Sequence, residues 1–343
     1  MPARDLDRAP ARSSSGSSTT RRADAVVQDR LVVGDVPLLA RATGAVLVLA
    51  GLVGALAPFL PYLTVGGQQL RLVTGLGSAL VALLLPVAAI ALGAVTARGL
   101  VPKLGLAYAG VGGALAVGRL CIELYEAEES LSRPGTEVLA GRRVVTSSVE
   151  VHPGWTLGVL ALGLTVLAGL LAVATWGRTV MEDGGSMDRI RPALAGTAVL
   201  LGVLTVLCLA LPAADTPDRI VVDPTSRLET VVTVEGPQAL LERPGLALLG
   251  GLLLAGALLL CSVVAPSLRP RLAAVGGLLA VALAVLAAGL TGLRDAASSP
   301  ELTWTVPGAG LLALGVLDVV LTVWAWRWRP SADGRAGRER PAR

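Results

Sequence analysis

Between its two boundary tryptophans one stretch of the chain reads Trp155-Thr-Leu-Gly-Val-Leu-Ala-Leu-Gly-Leu-Thr-Val-Leu-Ala-Gly-Leu-Leu-Ala-Val-Ala-Thr-Trp176, without a single charge. An α-helix rises about 1.5 Å per residue, so a run of about 20 apolar residues is what a hydrocarbon core of about 30 Å demands. Comparable runs lie at 43–63, 72–97, 104–122, 193–213, 246–266, 272–293 and 307–326. Short arginine-bearing segments or longer acidic ones separate them. The expected fold is an all-α integral membrane protein of eight transmembrane helices.

Composition agrees with this reading. Hydrophobic residues make up 53% of the chain and charged residues 16%, where a soluble domain carries about a quarter charged. The mean hydropathy is +0.70 and the pI about 9.4. The basic residues are spread over several loops and two tails without interleaved aromatics, so nucleic acid is not an expected partner; the lipid bilayer is. All basic residues but Lys103 are arginine, which reads as the codon usage of a GC-rich genome.

Cys121, Cys208 and Cys261 fall inside or at the edge of apolar runs and read as buried thiols. With His152 as the sole histidine, no zinc ligand set can be assembled, and no buried Ser-His pair either. No Gly-x-Ser-x-Gly, Walker loop or dinucleotide fingerprint occurs. Neither a catalytic residue nor a cofactor is expected, and the chain is not read as an enzyme.

Arginine placement orients the helices. The N-terminal segment, the 98–103 turn, the 178–191 loop, the 269–271 turn and the C-terminal segment hold 20 of the 29 basic residues. The positive excess stays cytoplasmic, which puts both termini inside a plasma membrane and requires an even number of spans. Residues 1–42 and 328–343 are expected to be disordered cytoplasmic tails, since Ser13–Thr20 and the flanking Arg, Asp and Pro residues cannot bury enough apolar surface to offset ordering entropy. The first apolar run begins after about 40 polar residues and is long enough to span, so it is not read as a signal peptide. Tyr62, Tyr125, Trp155 and Trp304 at outer ends, with Tyr108, Trp176, Trp324, Trp326 and Trp328 at inner ends, are expected to form interfacial belts.

The chain also reads as duplicated. Val151-His-Pro-Gly-Trp155 leads into the fourth run as Thr305-Val-Pro-Gly-Ala309 leads into the eighth, and the same displacement carries the first run onto the fifth. Four spans per half give two repeats of the same orientation, a parallel repeat. The expected units are a first four-helix bundle over 43–178 and a second over 193–327. Outer loops carry strand-like patterns around Gly66-Gly67, around Gly141 and around Asp223-Pro-Thr-Ser226, predicted to form small extracellular β-hairpins.

The first half resembles the four-span tryptophan-operon-associated membrane proteins of actinobacteria. The likeness lies in a short outer turn with glycine (Val65-Gly-Gly67), a second span ending in Thr96-Ala-Arg98-Gly99, a Gly-rich third span, and Gly154-Trp155 opening a fourth span that closes at Trp176-Gly-Arg178. Tyr62 stands where that family tends to carry tryptophan. The resemblance implies a four-helix fold and an actinobacterial lineage, and no activity, because the family has none established.

Three side chains stand out as a candidate intramembrane polar site. Asp318 lies near the middle of the eighth run, where a carboxylate costs about 2.5–3.5 kcal/mol on insertion scales and so faces the protein interior or a water cavity. It is expected either to serve as a proton-relay or cation group, or to be held by a hydrogen bond to the helix or to Thr322. Arg119 and Glu123, four residues apart on the third run, are expected to form an ion pair on one helix face. Pro86 near the centre of the second run invites a kink with a cavity beside it. Two functions follow: a non-catalytic scaffold or accessory subunit with a membrane-protein partner, or a small secondary transporter or proton-linked permease coupled through Asp318.

Overall fold

A computed structural model describes residues 32–128, 136–139, 142–146, 148–182, 187–216, 219–222, 229–232, 238–299 and 302–328. Most of 1–42 and of 328–343, the two segments expected to be tails, falls outside the described residues. The chain forms helices α1 (Leu38–Leu56), α2 (Leu76–Ala97), α3 (Pro102–Glu126), α4 (Pro153–Thr175), α5 (Arg191–Leu209), α6 (Gly245–Ser267), α7 (Arg271–Ser298) and α8 (Val306–Arg327). All eight are long and apolar enough to cross a membrane. The boundaries differ from the apolar runs where the ends are polar: α1 begins at Leu38, ahead of Arg41, and α7 continues through Arg294 and Asp295. Proline in the first turn starts α3, α4, α5 and α8, where its missing N–H costs nothing.

Helices α3 and α7 are the centre of the molecule. In their most apolar stretches 56% and 67% of residues are buried inside the protein, against 17% for α2 and α4, whose surfaces are left for lipid. In the first half α1 packs on α2 and α4, and α3 on α4 and α2; in the second, α5 packs on α6 and α8, and α7 on α8 and α6. Between the halves α3 meets α6 and α7, and α2 meets α7.

Glycine sets the closest of these approaches. A Cβ on Gly44 would lie 2.7 Å from the Gly93 carbonyl oxygen on α2, and one on Gly113 2.7 Å from the Gly169 Cα on α4. Across the halves, a Cβ on Gly118 would stand 2.6 Å from the Gly250 carbonyl oxygen on α6. Without a hydrophobic drive between helices in lipid, such backbone proximity supplies the dispersion that holds a bundle.

The strands cluster at one end of the helices. Strands β2 (Leu63–Val65) and β3 (Gln68–Leu70) form a hairpin, and β6 (Val149–Val151) adds to β2 antiparallel with Leu63 opposite Val151. Gly66 and Gly67 at the turn have φ of 55° and 78°, the left-handed values a two-residue hairpin needs. Strands β4 (Thr136–Leu139) and β5 (Arg142–Val145) pair, as do β9 (Arg219–Val222) and β10 (Glu229–Val232). In the second half β8 (Ala214–Asp215) pairs with β11 (Thr303–Trp304), joining the chain after α5 to the chain before α8, as β2 and β6 join the chain after α1 to the chain before α4.

At the opposite end β1 (Val32–Val33) pairs with β7 (Met181–Glu182), a contact no local pattern announced. There Lys103 also lies 5.5 Å from the centre of the Trp176 ring.

The aromatic belt needs correction. Tyr62, Tyr108 and Tyr125 are buried, so they are not lipid-facing anchors. The Tyr62 hydroxyl is turned inward to donate to Glu123 on α3. Trp304, Trp324 and Trp326 do face outward.

Candidate functional site

A cavity of about 580 Å³ runs down the first helix bundle and is closed on one side by α7. Its wall follows helical periodicity. On α3 it takes Tyr108, Gly112, Leu115, Arg119, Glu123 and Glu126, one stripe at three- and four-residue spacing. Ala280, Ala284, Ala287, Thr291 and Asp295 form the facing stripe on α7. Gly51 and Gly54 on α1, Leu85 and Pro86 on α2, and Gly158 and Ala161 on α4 complete the apolar part, so a cavity does lie beside Pro86. On α3, Gly112 has no atom within 4 Å of where a Cβ would stand, so its missing side chain helps to leave the space unfilled.

The two ends of the cavity differ in chemistry. Toward the strand-bearing end six ionisable side chains line it: Arg119, Glu123, Glu126, Arg243, Arg294 and Asp295. Farther in, the wall is alkyl apart from Tyr108 and Thr165.

Each carboxylate has a donor. The Tyr62 hydroxyl donates to Glu123, and the Trp155 indole donates to the Glu123 carbonyl at 3.0 Å. Arg243 stands 3.7 Å from Glu126. Arg294 forms an ion pair with Asp295 at 2.6 Å and donates to the Leu72 carbonyl at 3.4 Å, tying α7 to the loop ahead of α2.

Arg119 is different. Among the described residues it makes neither a hydrogen bond nor an ion pair. The expected Arg119–Glu123 pair is therefore not formed. Helical spacing brings the two side chains to one face, but Tyr62, reaching over from the end of α1, has taken the carboxylate. Arg119 is instead exposed and presents its surface to the cavity.

Asp318 lies elsewhere. It is 6% exposed, on the face of α8 that packs in the second half, and it is not part of the cavity wall. Thr322 does bond to it, but its hydroxyl donates to the Asp318 backbone carbonyl at 2.7 Å and not to the carboxyl group. Among the described residues Oδ2 has no hydrogen-bond partner, and no ion pair joins Asp318 to Arg119. A buried polar atom left unsatisfied costs about 1–3 kcal/mol. Replacing Asp318 with valine should therefore raise the thermal unfolding midpoint of the purified protein, and a fall would show that the carboxyl is held by a partner.

His152 is half-buried and its Nε2 lies 2.7 Å from the Thr64 hydroxyl, linking β2 to the start of α4. Of the side chains at the charged end, sequence reasoning missed Tyr62, Glu126, Arg243, Arg294 and Asp295 as site residues. One signal was present for Arg294 and Asp295: both continue the α7 stripe by three- and four-residue steps, although they lie past the last apolar position.

No family model, no curated protein and no solved structure matches this chain.

Proposed function

We propose that this chain is a non-catalytic accessory protein of the plasma membrane that holds a ligand in an outward-facing chamber between its first four helices and α7. The observation that carries the reading is Arg119, a cation without a paired counter-charge among the described residues, on the wall of a cavity of about 580 Å³. A cavity lined by small residues with a few polar groups at one end has the build of a binding site.

The chamber sits in one half of a parallel duplication, with both termini cytoplasmic and the strands outside. Support comes from equivalent packing partners for α1 to α4 and α5 to α8. It comes also from the way the fourth helix of each set begins. Pro153-Gly154 and Pro307-Gly308 open α4 and α8, and each glycine packs under a carbonyl at the end of the first helix of its set, Pro61 and Ala213 respectively. The strands above the chamber are available to a membrane-protein partner.

Cysteine labelling tests the orientation. In a background lacking Cys121, Cys208 and Cys261, Thr291→Cys in the chamber and Thr303→Cys on β11 should both react with a membrane-impermeant maleimide in intact cells, and Leu100→Cys only after lysis. A silent Thr291→Cys, or one that needs lysis, would contradict the reading.

A second reading rests on the unpartnered Oδ2 of Asp318. A permease coupled through this group would lose proton flux in proteoliposomes on Asp318→Asn; unchanged flux removes that reading.

A further inference from the structure

We propose that the chamber takes an amphiphile with an anionic headgroup, the headgroup against Arg119 and the alkyl chain in the apolar depth. This rests on the chamber being a ligand site and names the ligand's chemistry.

Shape and polarity argue together. The α3 wall from Tyr108 to Glu126 runs for about 27 Å at the rise of an α-helix, while the whole cavity holds only about 580 Å³. Such a space is elongated along α3, which suits a chain better than a compact solute. Its deep wall, with Leu85, Pro86, Ala109 and Ala284, offers alkyl surface. A hydrated solute would have to leave its water there without replacement hydrogen bonds, which is costly, whereas a methylene chain would not.

Charge selects the head. Glu126 and Asp295 are matched by Arg243 and Arg294, and Glu123 is engaged by Tyr62. Among the described residues Arg119 is the cation left over on this wall, and its guanidinium favours a carboxylate or phosphate that meets its planar fork of donors. Among the same residues a cationic head would meet no carboxylate without a donor already on it.

Equilibrium binding tests the proposal, with purified protein in phosphatidylcholine nanodiscs and subtraction of empty discs. The probes are dodecyl phosphate, inorganic phosphate, dodecyltrimethylammonium and dodecylphosphocholine. Dodecyl phosphate should saturate at one molecule per chain and bind at least tenfold more tightly than the cationic or zwitterionic amphiphile. Inorganic phosphate should bind at least a hundredfold more weakly, which separates an amphiphile site from a site for the free anion.

Arg119→Gln should weaken dodecyl phosphate at least tenfold and Arg119→Lys less. Ala284→Phe, which fills the deep part and leaves Arg119 in place, should weaken it comparably. Equal binding of phosphate alone, equal binding of either control amphiphile, or wild-type affinity in Arg119→Gln or Ala284→Phe overturns the proposal. If Thr291→Cys labels from outside and no anionic amphiphile binds, the outward chamber stands and the amphiphile does not.

Discussion

Gly118→Leu is expected to destabilise the protein by about 3 kcal/mol, the upper range for forcing a side chain into a packed contact. A Cβ at this position would stand 2.6 Å from both the Gly250 carbonyl oxygen and the Leu254 amide nitrogen, atoms of the α6 backbone that cannot swing aside. The only relief is to part α3 from α6, one of the contacts that join the halves. Gly110 on the same helix and Gly256 on α6 have open space where a Cβ would go, so Gly110→Leu and Gly256→Leu should unfold like the parent. Thermal unfolding followed through the burial of Cys261 reads all three. Wild-type stability in Gly118→Leu would mean that the helices meet by another face.

Tyr62→Phe is expected to cost about 2 kcal/mol. The phenol is the donor that Glu123 finds, and its loss leaves a half-buried carboxylate short of a hydrogen bond. The ring stays, so packing of β2 against Trp155 is preserved. Glu123→Gln should cost less, because an amide oxygen still accepts from Tyr62. The double variant should cost less than the sum of the two single changes, as groups in direct contact couple. Additive costs would show that the two side chains do not meet.

What the sequence disclosed, and what it did not, follows from the range of the physics involved. Helix number came from apolar run length, a local property, and the Gly66-Gly67 hairpin from two residues able to take positive φ. The approach of Gly118 to Gly250 was not legible, since Gly110 and Gly118 look alike until a partner helix is placed. At the site, the stripe of Arg119 and Glu123 on one face of α3 was readable from spacing. Which of them would be paired was not, because Tyr62 comes from 61 residues away.

Asp318 drew notice because a charge near mid-span is conspicuous in a sequence. Arg119 stood beside it as a candidate, but as one half of a local ion pair with the acid four residues on. The geometry reverses that emphasis, giving the cavity to Arg119 and leaving Asp318 outside its wall.

The most direct measurement is a density map of the protein extracted with its native lipid and without detergent exchange. The account predicts elongated non-protein density along the stripe from Tyr108 to Arg119, with its broader, polar end at Arg119. A map in which α2 and α7 close over that stripe, or in which Arg119 is bonded to a protein carboxylate and the space is filled by side chains, would contradict it.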